Sequence, residues 1–286
     1  MTRLAVLMTV YHRIVPAELA AALDSLVAQT RPADEIVIVE DGPVGAELRA
    51  VIDGFVDKRS EARTVTLARN QGSGPASAAG MATITTDLVA RLDADDLAAP
   101  DRLERQLAWF ADHPETDVLG TAVAEFRDDP ATTIAVRALP ETHEEIARYA
   151  LINSPLNHPS VMFRVAAAEK AGGYRDVHFM EDYDLWARML AGGARFHNLP
   201  EPLTHFRTSE QQLQRRAGVE VPQFRRRQAH VRRGTPDAGQ PRALRTHQPA
   251  PLLVQPRGPD RLPAAAHRTA HPRVRPVVPP MMFGPR

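Results

Sequence analysis

Apolar and polar positions along the first hundred residues follow two patterns in turn. An apolar run occupies residues 4–10, and a second buried strand is predicted over residues 35–39, of which residues 36–39 are apolar. Such runs are typical of parallel strands buried on both faces. Between them, Pro16 near a first turn and leucines spaced by three or four residues predict a helix. Its predicted inner face is Leu19, Leu23, Leu26 and Val27. Strands that alternate with helices predict an α/β fold with a mostly parallel central sheet flanked by helices.

The alternation continues up to residue 92. Helices are predicted over residues 47–56 and 75–85, and strands over residues 64–67 and 86–92. Each strand is followed by a polar or glycine-rich turn. The carboxyl ends of parallel strands meet at one edge of an open α/β sheet, where ligands bind, so these turns are expected to form a binding site.

Three carboxylates, Asp93, Asp95 and Asp96, follow the fourth predicted strand. Mg²⁺ and Mn²⁺ prefer oxygen ligands and typically bind one or two protein carboxylates together with substrate phosphates. Asp93 and Asp95 are therefore candidates to divide the contacts to a nucleotide's ribose and to a metal ion. The structural alternative is helix capping, because residues 97–103 have the pattern of a helix start.

Composition narrows the class of protein and separates the chain into two parts. The 286 residues are 43% hydrophobic, which is enough for a substantial core, and 35 basic groups balance 35 acidic ones. Residues 222–286 hold 13 arginines, no lysine and only 2 acidic residues. Cysteine is absent, which excludes disulfides and thiolate metal sites, and no apolar run has the length of a signal peptide or a membrane span. We therefore expect a cytoplasmic protein.

Five ordered segments resemble the motifs of the family two inverting glycosyltransferases. They are MTVYH (8–12), VEDG (39–42), RNQG (69–72), LDADD (92–96) and MEDYDLW (180–186). The resemblance covers about residues 3–217 and implies a GT-A domain over residues 1–221, with a nucleotide-binding half (1–100) and an acceptor half (101–221). It implies transfer of a sugar from a nucleotide-diphosphate donor to a hydroxyl of a glycan or lipid-linked acceptor in polysaccharide biosynthesis, assisted by Mg²⁺ or Mn²⁺.

The resemblance assigns the base side of the donor site to residues that follow the first three strands. Tyr11 would stack on the base beside Thr9, and Asp41 would accept a hydrogen bond from the base. Arg69 and Asn70 would lie near the base and the ribose. The structural alternatives are a strand-end aromatic for Tyr11 and turn-forming roles for the polar residues.

The phosphate side of the site is assigned to the acidic cluster and to a closing strand near residues 202–207. Asp93 resembles the residue that contacts the ribose, Asp95 resembles the metal ligand, and Asp96 is expected to cap a helix. His205 and Arg207 alternate with a phenylalanine and so face the same side of the strand. Arg207 is assigned to the donor diphosphate and His205 to the metal.

The acceptor side is assigned to a base motif and two aromatic neighbours. The resemblance identifies Asp182 as the base that takes a proton from the acceptor hydroxyl, with Glu181 supporting it. A second carboxylate beside Asp182 would raise its pKa and improve it as a base. His158 and Trp186 are assigned to the acceptor cleft. A purely structural role remains open for His158, and Asp182 could cap the helix that follows it.

The segment from residue 222 departs from the family, because its 13 prolines prevent a regular helix. It is interpreted as a disordered tail, an arm for nucleic acid or an anionic membrane, a proline-rich docking segment, or an out-of-frame translation of a GC-rich gene. The last is favoured, because misread GC-rich codons yield arginine, proline and alanine. No nucleic-acid partner is therefore expected, whereas a lipid-linked acceptor would go with peripheral association at the inner face of the membrane.

Two other functions remain open at this stage. A sugar-phosphate nucleotidyltransferase shares the sheet but needs a glycine-rich, basic phosphate loop after its first strand, and residues 11–14 (YHRI) are not one. A non-catalytic or truncated nucleotide-sugar binding protein would keep the donor site without transfer. Turnover distinguishes these alternatives.

Overall fold

The apolar run at the start of the chain becomes a central strand of the sheet in the computed structural model, which describes residues 2–208. This part of the chain contains nine strands: β1 (Leu4–Val10), β2 (Glu35–Glu40), β3 (Ala62–Thr66), β4 (Leu88–Arg91), β5 (Leu97–Ala98), β6 (Val118–Phe126), β7 (Ala135–Arg137), β8 (Met162–Arg164) and β9 (Phe196–Arg207). Its α-helices are α1 (Pro16–Val27), α2 (Ala46–Val56), α3 (Ser73–Met81), α4 (Arg102–Asp112), α5 (His143–Tyr149), α6 (Val165–Lys170) and α7 (Glu181–Ala191).

The sheet has the order β3-β2-β1-β4-β8-β6-β9-β5, with β7 paired to β6. β1, β2, β3 and β4 pair in parallel, β8 is antiparallel to both β4 and β6, and β9 is parallel to β6. Six strands therefore run in one direction, so the predicted mostly parallel sheet is confirmed. Their carboxyl ends form one edge of the sheet, here called the carboxyl rim: Val10, Glu40, Thr66, Arg91, Phe126 and Arg207.

The hydrophobic core occupies both faces of the sheet, because alternate residues of β1 point to opposite sides. Leu4, Val6 and Met8 pack in one cluster with α1 and α2, whereas Ala5 and Leu7 pack in the other with α3, α6 and α7. The predicted inner face of α1 is confirmed at its three leucines. Val27 is 49% exposed, so its predicted burial is wrong.

The chain after the acidic cluster differs from the prediction. Leu97 pairs with His205 in the short strand β5, and α4 begins only at Arg102. The helix start expected within residues 97–103 is at Arg102, late in that segment, because Leu97 and Ala98 pair with β9 and because Ala99 precedes Pro100, which disfavours the helical conformation. Asp96 is therefore not a helix cap.

The two expected halves of the domain share this one sheet. Strand β8, from the acceptor half, lies between β4 and β6 and joins the nucleotide-binding half to the rest of the sheet. No helix among residues 2–208 combines the length and apolar character needed to cross a bilayer. Residues 209–221 of the expected domain, and the segment 222–286, lie outside the described residues.

Candidate functional site

The carboxyl rim gathers most of the residues that the sequence assigns to the donor. Thr9 lies near the end of β1. Tyr11 directly follows that strand and is 40% exposed. Asp41 follows β2, while the exposed Arg69 and Asn70 follow β3. The acidic cluster follows β4, and Arg207 ends β9. Parallel strand ends thus place these side chains along one edge, as predicted.

Asp41 fixes the loop that carries Arg69 and Asn70. Its carboxylate accepts the backbone N–H groups of Gln71 at 2.7 Å and Gly72 at 2.9 Å, and the Asn70 side chain donates to the Asp41 carbonyl at 3.1 Å. Gly42 has a positive φ of 81°, and a Cβ there would overlap the Asn70 backbone. Each oxygen of Asp41 keeps a second lone pair, so the arrangement is compatible with the proposed contact to a base.

Replacing Asp41 by Ala should weaken nucleotide binding without removing the metal requirement. The change leaves two backbone N–H groups without their partner, and the loss of stability should be about 1–3 kcal/mol. Calorimetric titration with nucleoside diphosphate and Mn²⁺, together with thermal melting, measures both effects. Asp53→Ala on the exposed side of α2 is the control, and equal affinity in the two variants would remove Asp41 from the donor site.

The acidic cluster crowds three carboxylates at the end of β4. Burial and the negative charge of Asp93 raise the pKa of Asp95 to about 6. Burial raises the pKa of Asp93, and burial together with both neighbours holds the pKa of Asp96 well above its usual value. Such crowding is unfavourable for three ionised groups, and a divalent cation would relieve it.

The available ligands fit Mg²⁺ or Mn²⁺ bound together with a diphosphate. Asp95 and Asp93 offer oxygen ligands, and 36% of the Asp93 side chain remains accessible. Asp96 instead holds the end of β9, since its carboxylate accepts a hydrogen bond from the backbone N–H of Arg207 at 2.8 Å. Among residues 2–208 no group of three or more His, Cys, Asp or Glu side chains is arranged for a metal.

His205 lies on β9 where that strand pairs with β5. Its ring borders a groove lined by Asp24 of α1, Leu97 and Pro130, and a backbone hydrogen bond with Pro130 favours its protonated form. Burial nevertheless lowers the pKa of His205. β9 pairs His205 with Leu97, two residues after Asp95, and the metal role of His205 stays a prediction.

Arg207 lies beside Asp95 and is held by several groups. Its Nε is 3.0 Å from the Asp95 carbonyl and 3.3 Å from a Glu18 carboxylate oxygen, and its guanidinium lies 4.6 Å above the Phe126 ring. It can therefore supply positive charge next to the acidic cluster without reorganising. The sequence analysis did not assign Glu18 to the site, because an acidic residue in the first turn of a helix such as α1 is common.

Two buried arginines lie beneath the acidic cluster and were also missed. Arg91 donates to the Leu7 carbonyl at 2.9 Å and to Asp93 at 3.2 Å, and Arg102 donates to the Arg91 carbonyl at 2.7 Å. Burial lowers the pKa of Arg102 to about 9, while Asp96 opposes that shift. The signal in the sequence was Arg91 itself, a charged residue inside an apolar strand, which needs a buried partner.

The base motif lies in the first turn of α7. The helix leads from the carboxyl rim back to the start of β9, so its first turn lies near the acidic cluster. Burial and the charge of Glu181 raise the pKa of Asp182 to about 7, Asp93 adds to this, and the backbone N–H groups of Asp182 and Tyr183 oppose it. Met180 occupies the N-cap position, so Asp182 is not the cap of this helix.

The two aromatic residues assigned to the acceptor differ in their placement. His158 is partly exposed, and its Nε2 is 2.9 Å from the Tyr174 hydroxyl. Burial and Arg91 hold the pKa of His158 well below its usual value, so the ring is neutral. Trp186 is fully buried and packs edge-on against Phe163, which contradicts its expected contact with an acceptor. Tyr174, which the sequence analysis did not single out, is the residue that orients His158.

The mostly parallel sheet with polar groups along its carboxyl rim agrees with a GT-A fold. The chain belongs to glycosyltransferase family 2, because residues 5–172 match the family model "Glycosyl transferase family 2". The predicted family and fold are thereby confirmed.

Known relatives agree with this membership. The amylovoran biosynthesis glycosyltransferase AmsE of Erwinia amylovora is 37% identical over 213 residues, which are 74% of this chain and 79% of AmsE. A "UDP-Gal:alpha-D-GlcNAc-diphosphoundecaprenol beta-1,3-galactosyltransferase" of Escherichia coli is 33% identical over 217 residues, 76% of this chain and 78% of the relative. A mannosyltransferase of Pyrobaculum calidifontis, solved with GDP-Man and Mn²⁺, shares the fold with a TM-score of 0.62 at 17% identity, over 84% of this chain and 66% of that one.

Proposed function

We propose that this protein transfers a sugar from a nucleotide-diphosphate sugar to a hydroxyl of a lipid-linked glycan, with inversion at the anomeric carbon. The observation that carries this proposal is the environment of Asp182. Burial and the charge of Glu181 raise the pKa of its carboxylate to about 7, and Asp93 of the acidic cluster adds to this rise. A base is most effective when its pKa is near the working pH, because it is then both ionised and able to hold a proton.

The donor is held by the rim. Tyr11 and Asp41 take the base, and Asp93 takes the ribose. Asp95 would hold Mg²⁺ or Mn²⁺, and the bound ion would neutralise the diphosphate and stabilise it as a leaving group. Arg207 adds a fixed positive charge next to Asp95.

Transfer then requires one displacement. The acceptor oxygen attacks the anomeric carbon opposite the diphosphate, the bond from that carbon to the diphosphate oxygen breaks, and the hydroxyl proton passes to Asp182. Glu181 keeps the pKa of Asp182 high enough to receive that proton. The neutral His158, oriented by Tyr174, borders the side from which the acceptor enters.

The choice of acceptor is supported by the relatives. One of them is named for transfer to a diphosphoundecaprenol-linked N-acetylglucosamine, and another for amylovoran biosynthesis. In the solved mannosyltransferase complex, Mn²⁺ accompanies GDP-Man, which supports a metal-assisted donor site here.

A thermal-shift screen of UDP-galactose, UDP-N-acetylglucosamine and GDP-mannose, each with and without Mn²⁺, tests the donor site. A ligand at about one hundred times its Kd stabilises the folded state by about 2.7 kcal/mol, which corresponds to a rise in Tm of several degrees. We expect such a rise for at least one donor and only with Mn²⁺. No response to any nucleotide sugar would contradict the proposal. Stabilisation without transfer to any acceptor would indicate a binding protein.

A further inference from the structure

Three large apolar side chains are exposed near the base motif. Leu151 and Ile152, after α5, are 66% and 56% exposed, and Phe179, two residues before α7, is 71% exposed. The Tyr183 hydroxyl donates to the Ala150 carbonyl and so joins the two segments. Single exposed apolar residues are common, but three on adjoining segments form a patch. These three residues are called the apolar edge.

The backbone at Phe179 supports a function for this patch. Its φ of 59° makes it the one non-glycine residue with positive φ among residues 2–208. This conformation is strained for a bulky side chain, and strain of this kind is concentrated at functional sites. The strained backbone presents an aromatic ring to the solvent two residues before Glu181, which favours a ligand or a surface that the ring would enter.

Basic groups flank the apolar edge. Arg148, in the last turn of α5, and Arg175, before Phe179, are both exposed, as is His178, whose ring lies 4.0 Å from that of Phe179. The exposed acidic residues of these two segments are Asp176 and, at the start of α5, Glu144 and Glu145. Apolar and aromatic side chains bordered by arginines have the chemistry that binds the interface of an anionic bilayer.

We propose that the apolar edge inserts into the interface of an anionic membrane and so brings Asp182 to the hydroxyl of a lipid-linked acceptor. The acceptor in this proposal rests on the proposed function, whereas the contact with the membrane rests on Leu151, Ile152 and Phe179. A bilayer fits this position better than a second copy of the chain, because the acceptor of the proposed function is attached to a lipid. A second copy seated there would cover the approach to Asp182.

Vesicle sedimentation with the full chain tests the contact. The vesicles contain phosphatidylethanolamine and phosphatidylglycerol, with phosphatidylcholine vesicles for comparison. The variant combines Leu151→Ser, Ile152→Ser and Phe179→Asn, since Asn tolerates a positive φ. We expect binding to the anionic vesicles to fall by at least about tenfold, because each side chain loses apolar burial. Val27→Ser is the matched control, because Val27 is 49% exposed at the end of α1 opposite the carboxyl rim.

Turnover separates this proposal from the proposed function. The triple variant should keep the wild-type rate on a water-soluble acceptor and lose it on the same sugar linked to a polyprenyl diphosphate in vesicles. If no acceptor is used, the proposed function fails while the vesicle result still stands. The proposal is overturned if the wild-type protein does not bind anionic vesicles, or if the triple variant binds them as strongly as the wild type. A triple variant that loses dimers in sedimentation velocity, or several degrees of Tm, also overturns it, because the edge then packs against protein.

Discussion

Replacing Asp182 by Asn is expected to lower the turnover of sugar transfer by about 10²–10⁴-fold while donor affinity stays nearly unchanged. Asn keeps the shape of the side chain but cannot accept the proton of the attacking hydroxyl. Release of nucleoside diphosphate, measured with donor and acceptor at saturation, gives the loss. Asp184→Asn in the same helical turn is the control, because Asp184 is paired with Arg188 at 2.6 Å. An undiminished rate in Asp182→Asn would remove the base assignment.

The pH profile gives the same residue a second test. Asp182 must be ionised to act, so the wild-type rate should rise about tenfold per pH unit below a pKa of about 7 and level off above it. Asp182→Asn should lack this rise. Glu181→Gln removes a negative neighbour and should move the rise to lower pH, at a smaller cost in rate than Asp182→Asn.

Stability should change in the opposite direction to activity. The pKa of Asp182 is raised from 3.8 to about 7 in the folded state, so its favourable contribution is complete below pH 3.8 and is lost as the pH rises to about 7. At pH 8, Asp182→Asn should therefore be more stable than the wild type by roughly 1–4 kcal/mol. The difference should vanish near pH 4. Equal melting temperatures at pH 8 would show that Asp182 is not held in an unfavourable environment.

Replacing Asp95 by Ala is expected to abolish the Mn²⁺-dependent part of donor binding. Loss of residues that merely support a metal ligand costs about 10–100-fold in affinity, and a direct ligand should cost at least as much. Calorimetric titration with nucleoside diphosphate, with and without Mn²⁺, measures the effect. Because Asp95 has a raised pKa, removal of its charge should not destabilise the metal-free protein at neutral pH.

Asp53→Ala, on the exposed side of α2, is again the control for this experiment. If Asp95→Ala keeps the full Mn²⁺ dependence, the ion is held elsewhere. Asp96→Asn should behave differently from Asp95→Ala, because its amide oxygen can still accept the Arg207 N–H. We expect it to retain Mn²⁺-dependent binding.

Sequence patterns predicted those parts of the fold that depend on neighbouring residues. β1 matches its predicted bounds because a buried strand needs only a continuous apolar run. The helical spacing of α1 located three buried leucines, and Val27 failed because it is the last residue of the helix and faces solvent. β5 was not predictable locally, because its two residues become a strand only through pairing with β9.

The candidate site shows the same division. The predicted strand ends placed Asp41 and Asp95 on one rim. The hydrogen bond from the Gln71 N–H to Asp41 was not predictable, because the two residues are 30 positions apart in the chain. Glu18 and Tyr174 were not predicted, because each contacts the site through a residue distant in sequence. These residues are Arg207 and His158. Trp186 was assigned to the acceptor by resemblance, whereas helical periodicity alone would have favoured its burial.

The configuration of the new glycosidic bond tests the central claim most directly. With an α-linked nucleotide sugar and a short-chain diphospholipid-linked acceptor, a single displacement assisted by Asp182 produces a β-linked product. The anomeric proton coupling in the NMR spectrum of the product distinguishes the two configurations for sugars such as galactose. We expect a β linkage, and an α-linked product would contradict a single displacement with Asp182 as the base.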